Sequence, residues 1–279
     1  MKKLIVTFLS ICLYSNAQTI EKKYSDFELI SNAKSVTEIK PMITNLNQIK
    51  GLDKSNLEQL FVNPAVSKVI DEKFYFNEQG FILQNVKYYS GDKEWVKTDY
   101  LYNVKNKLTD EVATIRSDSN NNYKPYYDTK IERINNTVTF TTKYSENDTL
   151  HTEIVILEKD LIVQEKTPHT VSVTSNYTYN EKNEKIKGIV TLASGEKLIW
   201  TNEYEYYPNG KVKIQTNHTT DLNQTIIKEY YENGLIKVDK FKDKITSFDY
   251  FYDNMSNWIF KIEYKNSKLN NITKREIVY

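Results

Sequence analysis

One short pattern recurs along most of this chain and constrains it more than any other feature. An aromatic residue, then Asn, Tyr or Asp, then two residues, then Gly, Asn or Ser occurs six times. The copies are Phe76-Asn77 to Gly80, Tyr102-Asn103 to Asn106, Tyr179-Asn180 to Asn183, Tyr206-Tyr207 to Gly210, Tyr230-Tyr231 to Gly234 and Tyr252-Asp253 to Ser256. Their starts lie 26, 77, 27, 24 and 22 residues apart, and 77 is about three such periods, so two degenerate copies are expected in the gap. Ile134-Asn135-Asn136-Thr137 and Leu157-Glu158-Lys159-Asp160-Leu161, each a polar turn between apolar runs, stand near the expected places.

A period of that size holds two strands of ~5–7 residues and two connections, so each unit reads as a β-hairpin. Gly or Asn in fifth place supplies the positive φ that a hairpin loop usually needs. Tyr250 and Tyr252 alternate with Phe251 and Asp253, and Val173 and Ser175 with Thr174 and Asn176, as strands require. Ser194-Gly195-Glu196 reads as a second turn class on the opposite edge. The expected fold is mainly β: an extended antiparallel meander of about eight hairpin repeats over residues 73–279, forming an open, curved or coiled sheet. The 22 tyrosines and 29 asparagines, against 7 glycines and 5 prolines, fit strands joined by asparagine-bearing turns, although an AT-rich genome would raise the same residues.

Residues 18–72 differ in character and are expected to form a small N-terminal cap with a short helix. Ser55-Asn56-Leu57-Glu58 matches a capping box with Ser55 as N-cap, and Leu57, Leu60 and Phe61 share a helical face up to Asn63-Pro64. Leu46, Ile49 and Leu52 suggest a further turn or two ending near Gly51.

The amino terminus reads as a signal peptide over residues 1–17. Met1-Lys2-Lys3 is basic, Leu4 to Tyr14 is apolar, and Ser15-Asn16-Ala17 places small side chains for cleavage before Gln18. The apolar run is too short to span a bilayer, so no transmembrane span is expected after cleavage. The expected location is outside the cytoplasm, periplasmic or extracellular, or associated with the cell surface. Cys12, the single cysteine, lies in the segment to be removed; Ile11 before it is too bulky for a good lipoprotein box. The processed chain would then hold no disulfide and no thiolate site.

Thirty-eight basic against 37 acidic residues leave no electrostatic footprint for nucleic acid, and only Arg116, Arg133 and Arg275 are arginines. Nucleic acid is therefore excluded as an expected partner.

The turn units resemble those of bacterial YD-repeat and MORN-like tyrosine-glycine repeat proteins. The resemblance rests on Tyr206-Tyr207-Pro208-Asn209-Gly210-Lys211-Val212, Tyr230-Tyr231-Glu232-Asn233-Gly234-Leu235-Ile236 and the ending Tyr252-Asp253-Asn254-Met255-Ser256-Asn257-Trp258. It is clearest over residues 200–279, weaker over 73–199 and absent before; Ser256 stands where such units usually carry glycine. It implies an envelope or cell-surface β-repeat scaffold, in some relatives associated with carbohydrate or with enclosing a toxin. It carries no catalytic residues to transfer.

Candidate sites are few. His151, His169 and His218 are the only histidines. His151-Thr152-Glu153 puts imidazole and carboxylate on one strand side without a second ligand pair, so no metal or other cofactor is expected. Glu203 with Glu205, and Asp249 with Asp253, share strand faces and invite comparison with a glycosidase pair, but cross-strand charge pairing is the better explanation of them. The stronger candidate is an aromatic platform of Trp200, Tyr204, Tyr206, Tyr230, Tyr250, Tyr252 and Trp258, either a surface for sugar or peptide or simply the packing of a thin sheet. The expected function is that of an exported, non-enzymatic β-repeat protein presenting a surface to an envelope protein or a glycan. A carrier of lipid or another apolar ligand in a bent sheet is the alternative, and an exported hydrolase using paired carboxylates a third.

Overall fold

The computed structural model describes residues 28, 29, 33–42, 49, 52–89, 93–116, 122–145, 150–168 and 172–279. The expected signal peptide, with Cys12, and His169 lie outside them.

Alternating apolar and polar residues between short turns yield eighteen strands. They are β1 (Ser35–Pro41), β2 (Lys68–Phe76), β3 (Ile82–Tyr89), β4 (Lys93–Tyr102), β5 (Leu108–Arg116), β6 (Tyr123–Ile134), β7 (Thr137–Tyr144), β8 (Leu150–Glu158) and β9 (Leu161–Thr167). There follow β10 (Val173–Tyr179), β11 (Lys185–Leu192), β12 (Lys197–Tyr206), β13 (Val212–Thr219), β14 (Gln224–Tyr230), β15 (Ile236–Phe241), β16 (Lys244–Tyr252), β17 (Trp258–Lys265) and β18 (Lys268–Val278). Helix α1 (Lys54–Val62) joins β1 to β2. Each strand pairs antiparallel with the next, and β1 pairs with both β2 and β18, so the sheet closes on itself.

That closure corrects the expected open, curved or coiled meander of about eight hairpins. The eight turns mark the ends of sixteen strands, β2 to β17. The seam is made by β18 and by β1, a strand from the segment read only as a cap. Residues that meet there, such as Val36 and Ile277, are far apart in sequence, and a local pattern carries no signal of such pairing.

Following the register round the ring separates two faces. The inward face carries Val36, Phe74, Tyr100, Ile131, Val138, Val155, Tyr177, Val190, Leu198 and Trp200, which form one buried cluster across the first twelve strands. Over β13 to β18 the same face turns mostly polar, with Gln215, Asn217, Lys228, Asp239, Thr246, Lys261, Glu263 and Thr273. The lumen therefore has an apolar half filled by its own side chains and a polar half.

The outward face is charged on many strands. Lys130 pairs with Asp110 at 2.5 Å and Lys240 with Glu229 at 2.5 Å, while Lys143, Lys187, Glu203 and Glu205 are exposed. A large apolar patch on it, Phe251, Phe260, Ile262 and Ile272, is covered by Leu57 and Phe61 of α1, with the Phe61 and Phe260 rings 5.7 Å apart. Burying those two helix side chains stabilises the docking by about 1.5–3 kcal/mol each. The helix begins two residues earlier than expected. Asp53, not Ser55, is its N-cap, with Oδ1 accepting the Asn56 N–H at 2.9 Å and Oδ2 the Asn56 side-chain amide at 2.7 Å. A carboxylate there outcompetes the Ser55 hydroxyl for the orphan donors. Among the described residues no helix is long and apolar enough to cross a membrane.

Candidate functional site

All eight repeat turns lie on one rim of the barrel, because consecutive antiparallel hairpins return the chain to the same end. In six of them the second residue's N–H donates to the sixth residue's carbonyl, and the fifth N–H to the second carbonyl, at 2.8–3.2 Å. The fifth residue has positive φ each time: Gly80 at 81°, Asn106 at 56°, Asn183 at 63°, Gly210 at 83°, Gly234 at 97° and Ser256 at 65°. Side chains complete the turn in two ways. Asn77, Asn103, Asn180 and Asp253 use Oδ1 to accept the fourth and sixth N–H groups. Where Tyr207 or Tyr231 holds the second place, Asn209 or Asn233 accepts the sixth N–H instead. The freed tyrosines reach the next hairpin, Tyr207 Oη–H donating to Tyr230 O at 2.7 Å and Tyr231 Oη–H to Phe248 O at 2.9 Å.

Each of these turns is followed by a register shift that adds one residue to the outgoing strand. Such a bulge twists the strand locally. It keeps the aromatic before the turn and the second residue after its positive-φ position opposed and pointing into the lumen. The rim is thus lined by Phe76, Tyr102, Tyr179, Tyr206, Tyr230 and Tyr252, facing Ile82, Leu108, Lys185, Val212, Ile236 and Trp258.

Two clefts open between these side chains and share Asn233 and Gly234. The larger, about 440 Å³, has Lys185, Tyr204, Lys211, Gln215 and Tyr230 in its walls below Gly210. The smaller, about 200 Å³, is walled by Glu28, Leu29, Tyr252 and Trp258. A third, about 530 Å³, lies beside α1 and is lined by Leu52, Tyr231, Asp249, Phe251 and Ile262 among others. Hydroxyls fix the rings: Tyr204 Oη–H donates to Lys185 O at 2.8 Å, Tyr230 to Gln215 Oε1 at 2.9 Å and Tyr250 to Ile236 O at 3.1 Å. Tyr206 donates to Glu184, and Tyr252 Oη accepts from Asn233 Nδ2 at 2.9 Å. Burial pushes the Tyr204 phenol up to about 12 and raises those of Tyr230, Tyr250 and Tyr252, so all four remain neutral hydroxyls near neutral pH. Fixed aromatic faces beside amide, ammonium and carboxylate groups suit recognition of a polar ligand.

Of the seven residues expected to form a platform, Tyr204, Tyr230, Tyr252 and Trp258 meet around the two rim clefts, and Tyr250 packs beside Trp258, its ring tilted 60° to the indole at 6.1 Å. Tyr206 lies 6.4 Å from Tyr204 with its other side under Lys182, whose Nζ is 3.2 Å from the ring centroid. Trp200 is elsewhere, 2% exposed in the apolar half, with Tyr177 6.1 Å away. Glu203 and Glu205 point outward into solvent, and Asp253 is engaged in its turn. His218 Nδ1 lies 3.0 Å from Thr225 Oγ1. His151 and Glu153 share the lumenal face of β8, but among the described residues no three His, Asp or Glu side chains gather as metal ligands.

Lys185 was not singled out by sequence. It is 3% exposed, with Nζ 4.0 Å from the Tyr177 ring centroid. Superposing the six turn units would have found it, since the second place after the positive-φ residue is apolar in the other five. Glu28, Leu29 and Arg275 also escaped notice, because nothing local marks them.

No family model and no curated protein matches the chain. Among solved structures it is similar to a porin-like protein from Bacteroides uniformis, at 10% identity and TM-score 0.48, covering 88% of this chain and 96% of that one. A porin-like protein from Bacteroides vulgatus follows at 10% identity and TM-score 0.31, covering 88% and 97%. The complex described as TcdB2-TccC3-Cdc42 follows at 9% identity and TM-score 0.23, covering 75% and 16%. With TM-scores under 0.5, closure of the barrel rests on this chain's own strand pairing.

Proposed function

We propose that this chain is an exported, non-enzymatic barrel that presents its rim of repeated turns to a protein or glycan partner in the periplasm or outside the cell. The observation that carries the reading is the convergence of Tyr204, Tyr230, Tyr252 and Trp258 on two adjoining clefts of one rim. The signal-peptide pattern of residues 1–17 supports export. The outward-facing charges, Lys130, Lys143, Lys187 and Glu203 among them, support a barrel standing in water, because they interrupt the apolar outer band that a lipid-facing barrel carries. The repeat-family resemblance belongs to the same proposal, supported by the shared turn geometry of its units.

An apolar-ligand carrier would need open space lined by aliphatic groups, whereas Ile131, Val138, Val155 and Trp200 pack that half of the lumen. The carboxylate pair that a hydrolase reading placed at Glu203 and Glu205 faces solvent and lines none of the clefts described above.

The test is affinity capture from envelope extract with the wild type, with Asn233→Arg at the exposed lip, and with Tyr204→Ala in the wall. A partner retained by the wild type and lost by both variants, with circular dichroism unchanged, is expected. A partner held equally by all three proteins would overturn the rim as the binding surface.

A further inference from the structure

Residues 28, 29, 33 and 34 lie at the mouth of the barrel, beside its first strand. Lys34 N–H donates to Val278 O at 2.7 Å, and Phe76 N–H donates to Lys34 O at 2.9 Å, which fixes residue 34 on the turn rim at the seam. Just upstream, Ala33 and Leu29 are each 3% exposed and belong to the lumenal cluster with Val36, Phe74 and Trp200. Glu28 Oε2 accepts the Trp258 Nε1–H at 2.8 Å. Glu28 and Leu29 therefore lie against Trp258 in the barrel mouth and form one wall of the small rim cleft, which stays open beside them.

The walls explain what they select. Trp258 is fully buried, offers its indole N–H at the edge, and carries the Arg275 guanidinium 3.5 Å from its ring centroid. Arg275 Nη1 is buried without a hydrogen-bond partner among the described residues. The Lys261 ammonium lies 5.0 Å from the same ring. The indole N–H edge and the Lys261 ammonium favour a carboxylate, Arg275 is already paired with Glu38 and adds only its unpartnered Nη1, and the adjoining apolar cluster favours a branched aliphatic side chain.

We propose that this part of the rim is a peptide groove, filled here only in part by the chain's own Glu28-Leu29 pair, with the small cleft left open beside it, and that the pair exchanges for an extended segment of another protein carrying an acidic residue followed by an aliphatic one. The inference rests on the rim being a binding surface and narrows its partner from protein or glycan to peptide. Because the resident pair is tethered, it holds the groove at high effective concentration, and an incoming segment sees only the fraction of molecules in which it has left.

The probe is a synthetic peptide with the sequence of residues 24–33, titrated into the full processed chain while following the Trp258 indole N–H resonance, assigned with Trp258→Phe. Leu29→Asp should release the resident pair and shift that resonance. The peptide should bind this variant at least about tenfold more tightly than the wild type and return the resonance towards its original position. A peptide with Gln and Ala in place of the Glu and Leu should not. Should Leu29→Asp fail to fold, Glu28→Gln, which keeps the apolar anchor, must still move the indole resonance. An unmoved resonance, or a released groove that ignores the peptide, overturns the inference. So does a released groove that takes chitohexaose in its place. If the groove fails while Asn233→Arg still loses a captured partner, only the peptide assignment falls.

Discussion

Arg275 and Glu38 face each other across the seam between the last and first strands, with Arg275 Nε and Nη2 donating to one oxygen, Glu38 Oε1, at 2.9 and 2.8 Å. Both side chains are largely buried, at 5% and 15% exposed. Burial pulls the guanidinium pKa down and the Glu38 carboxylate opposes it. Removing one partner strands the second, which costs about 3–5 kcal/mol, whereas replacing both with apolar groups is often near neutral. Glu38→Leu and Arg275→Leu should each lower the urea midpoint sharply, and the double variant should regain most of the loss. A double variant as weak as the two losses added together would show that the pair is not coupled.

Gly188 stands opposite Trp200 on the neighbouring strand, and a Cβ there would meet the indole at 2.3 Å. The Trp200 ring is held inside the core, so it cannot simply swing away. Gly188→Ala is expected to cost about 1–3 kcal/mol by overpacking. In a Trp200→Leu background the same substitution should cost little, as thermal unfolding of the four proteins would report.

Ser256 holds φ at 65° in a turn whose equivalents include Gly210 and Gly234. A non-glycine residue there carries about 1–2 kcal/mol of left-handed strain, partly offset because glycine loses more freedom on folding. Ser256→Gly should therefore raise the melting temperature modestly. Gly234→Ala, at φ 97° with open space around its Cβ position, should lower it through backbone strain alone.

The turns were legible from sequence because their chemistry is local. The positive φ at Gly80, Asn106 and Ser256 is demanded by a few neighbouring atoms, and the aromatic spacing shows where each hairpin reverses. The two faces were harder to assign. Tyr250 and Tyr252 point inward and Phe251 outward beneath α1, as alternation suggests, but the extra residue after each turn resets the count on the outgoing strand. Trp258 is inward for that reason. Trp200 reads like its neighbours Tyr204 and Tyr206, yet lies deeper along β12, where its indole covers Gly188 of the neighbouring strand beside Tyr177. The partnership of Glu28 with Trp258 joins residues from opposite ends of the chain, so nothing in a one-dimensional pattern could report it.

Glu153 faces the lumen opposite Phe140, where burial, with Glu165 as a lesser cause, raises its carboxyl pKa above the ordinary 4.5. The folded state therefore favours the protonated form. Its stabilising contribution is full below 4.5 and is lost as pH climbs through the raised value. Glu153→Gln should match the wild type in strongly acidic buffer and exceed it near neutral pH, the gap opening just above the ordinary carboxyl range. Parallel urea titrations at both pH values check this; a constant gap would remove Glu153 as the titrating group.

Closure of the barrel is tested most directly at Thr37 and Glu276, which oppose each other on β1 and β18. Opposed antiparallel residues hold their Cα atoms about 4.5–5.5 Å apart, within the roughly 4.4–6.8 Å that a disulfide spans. With Cys12 replaced by serine, Thr37→Cys with Glu276→Cys should oxidise as readily as the control Glu203→Cys with Thr216→Cys, which oppose each other on the adjacent strands β12 and β13. Mass spectrometry of the oxidised, unreduced chain gives the answer. Two cross-links are expected; a control that oxidises while the Thr37 and Glu276 pair keeps both thiols free would mean that the sheet does not close.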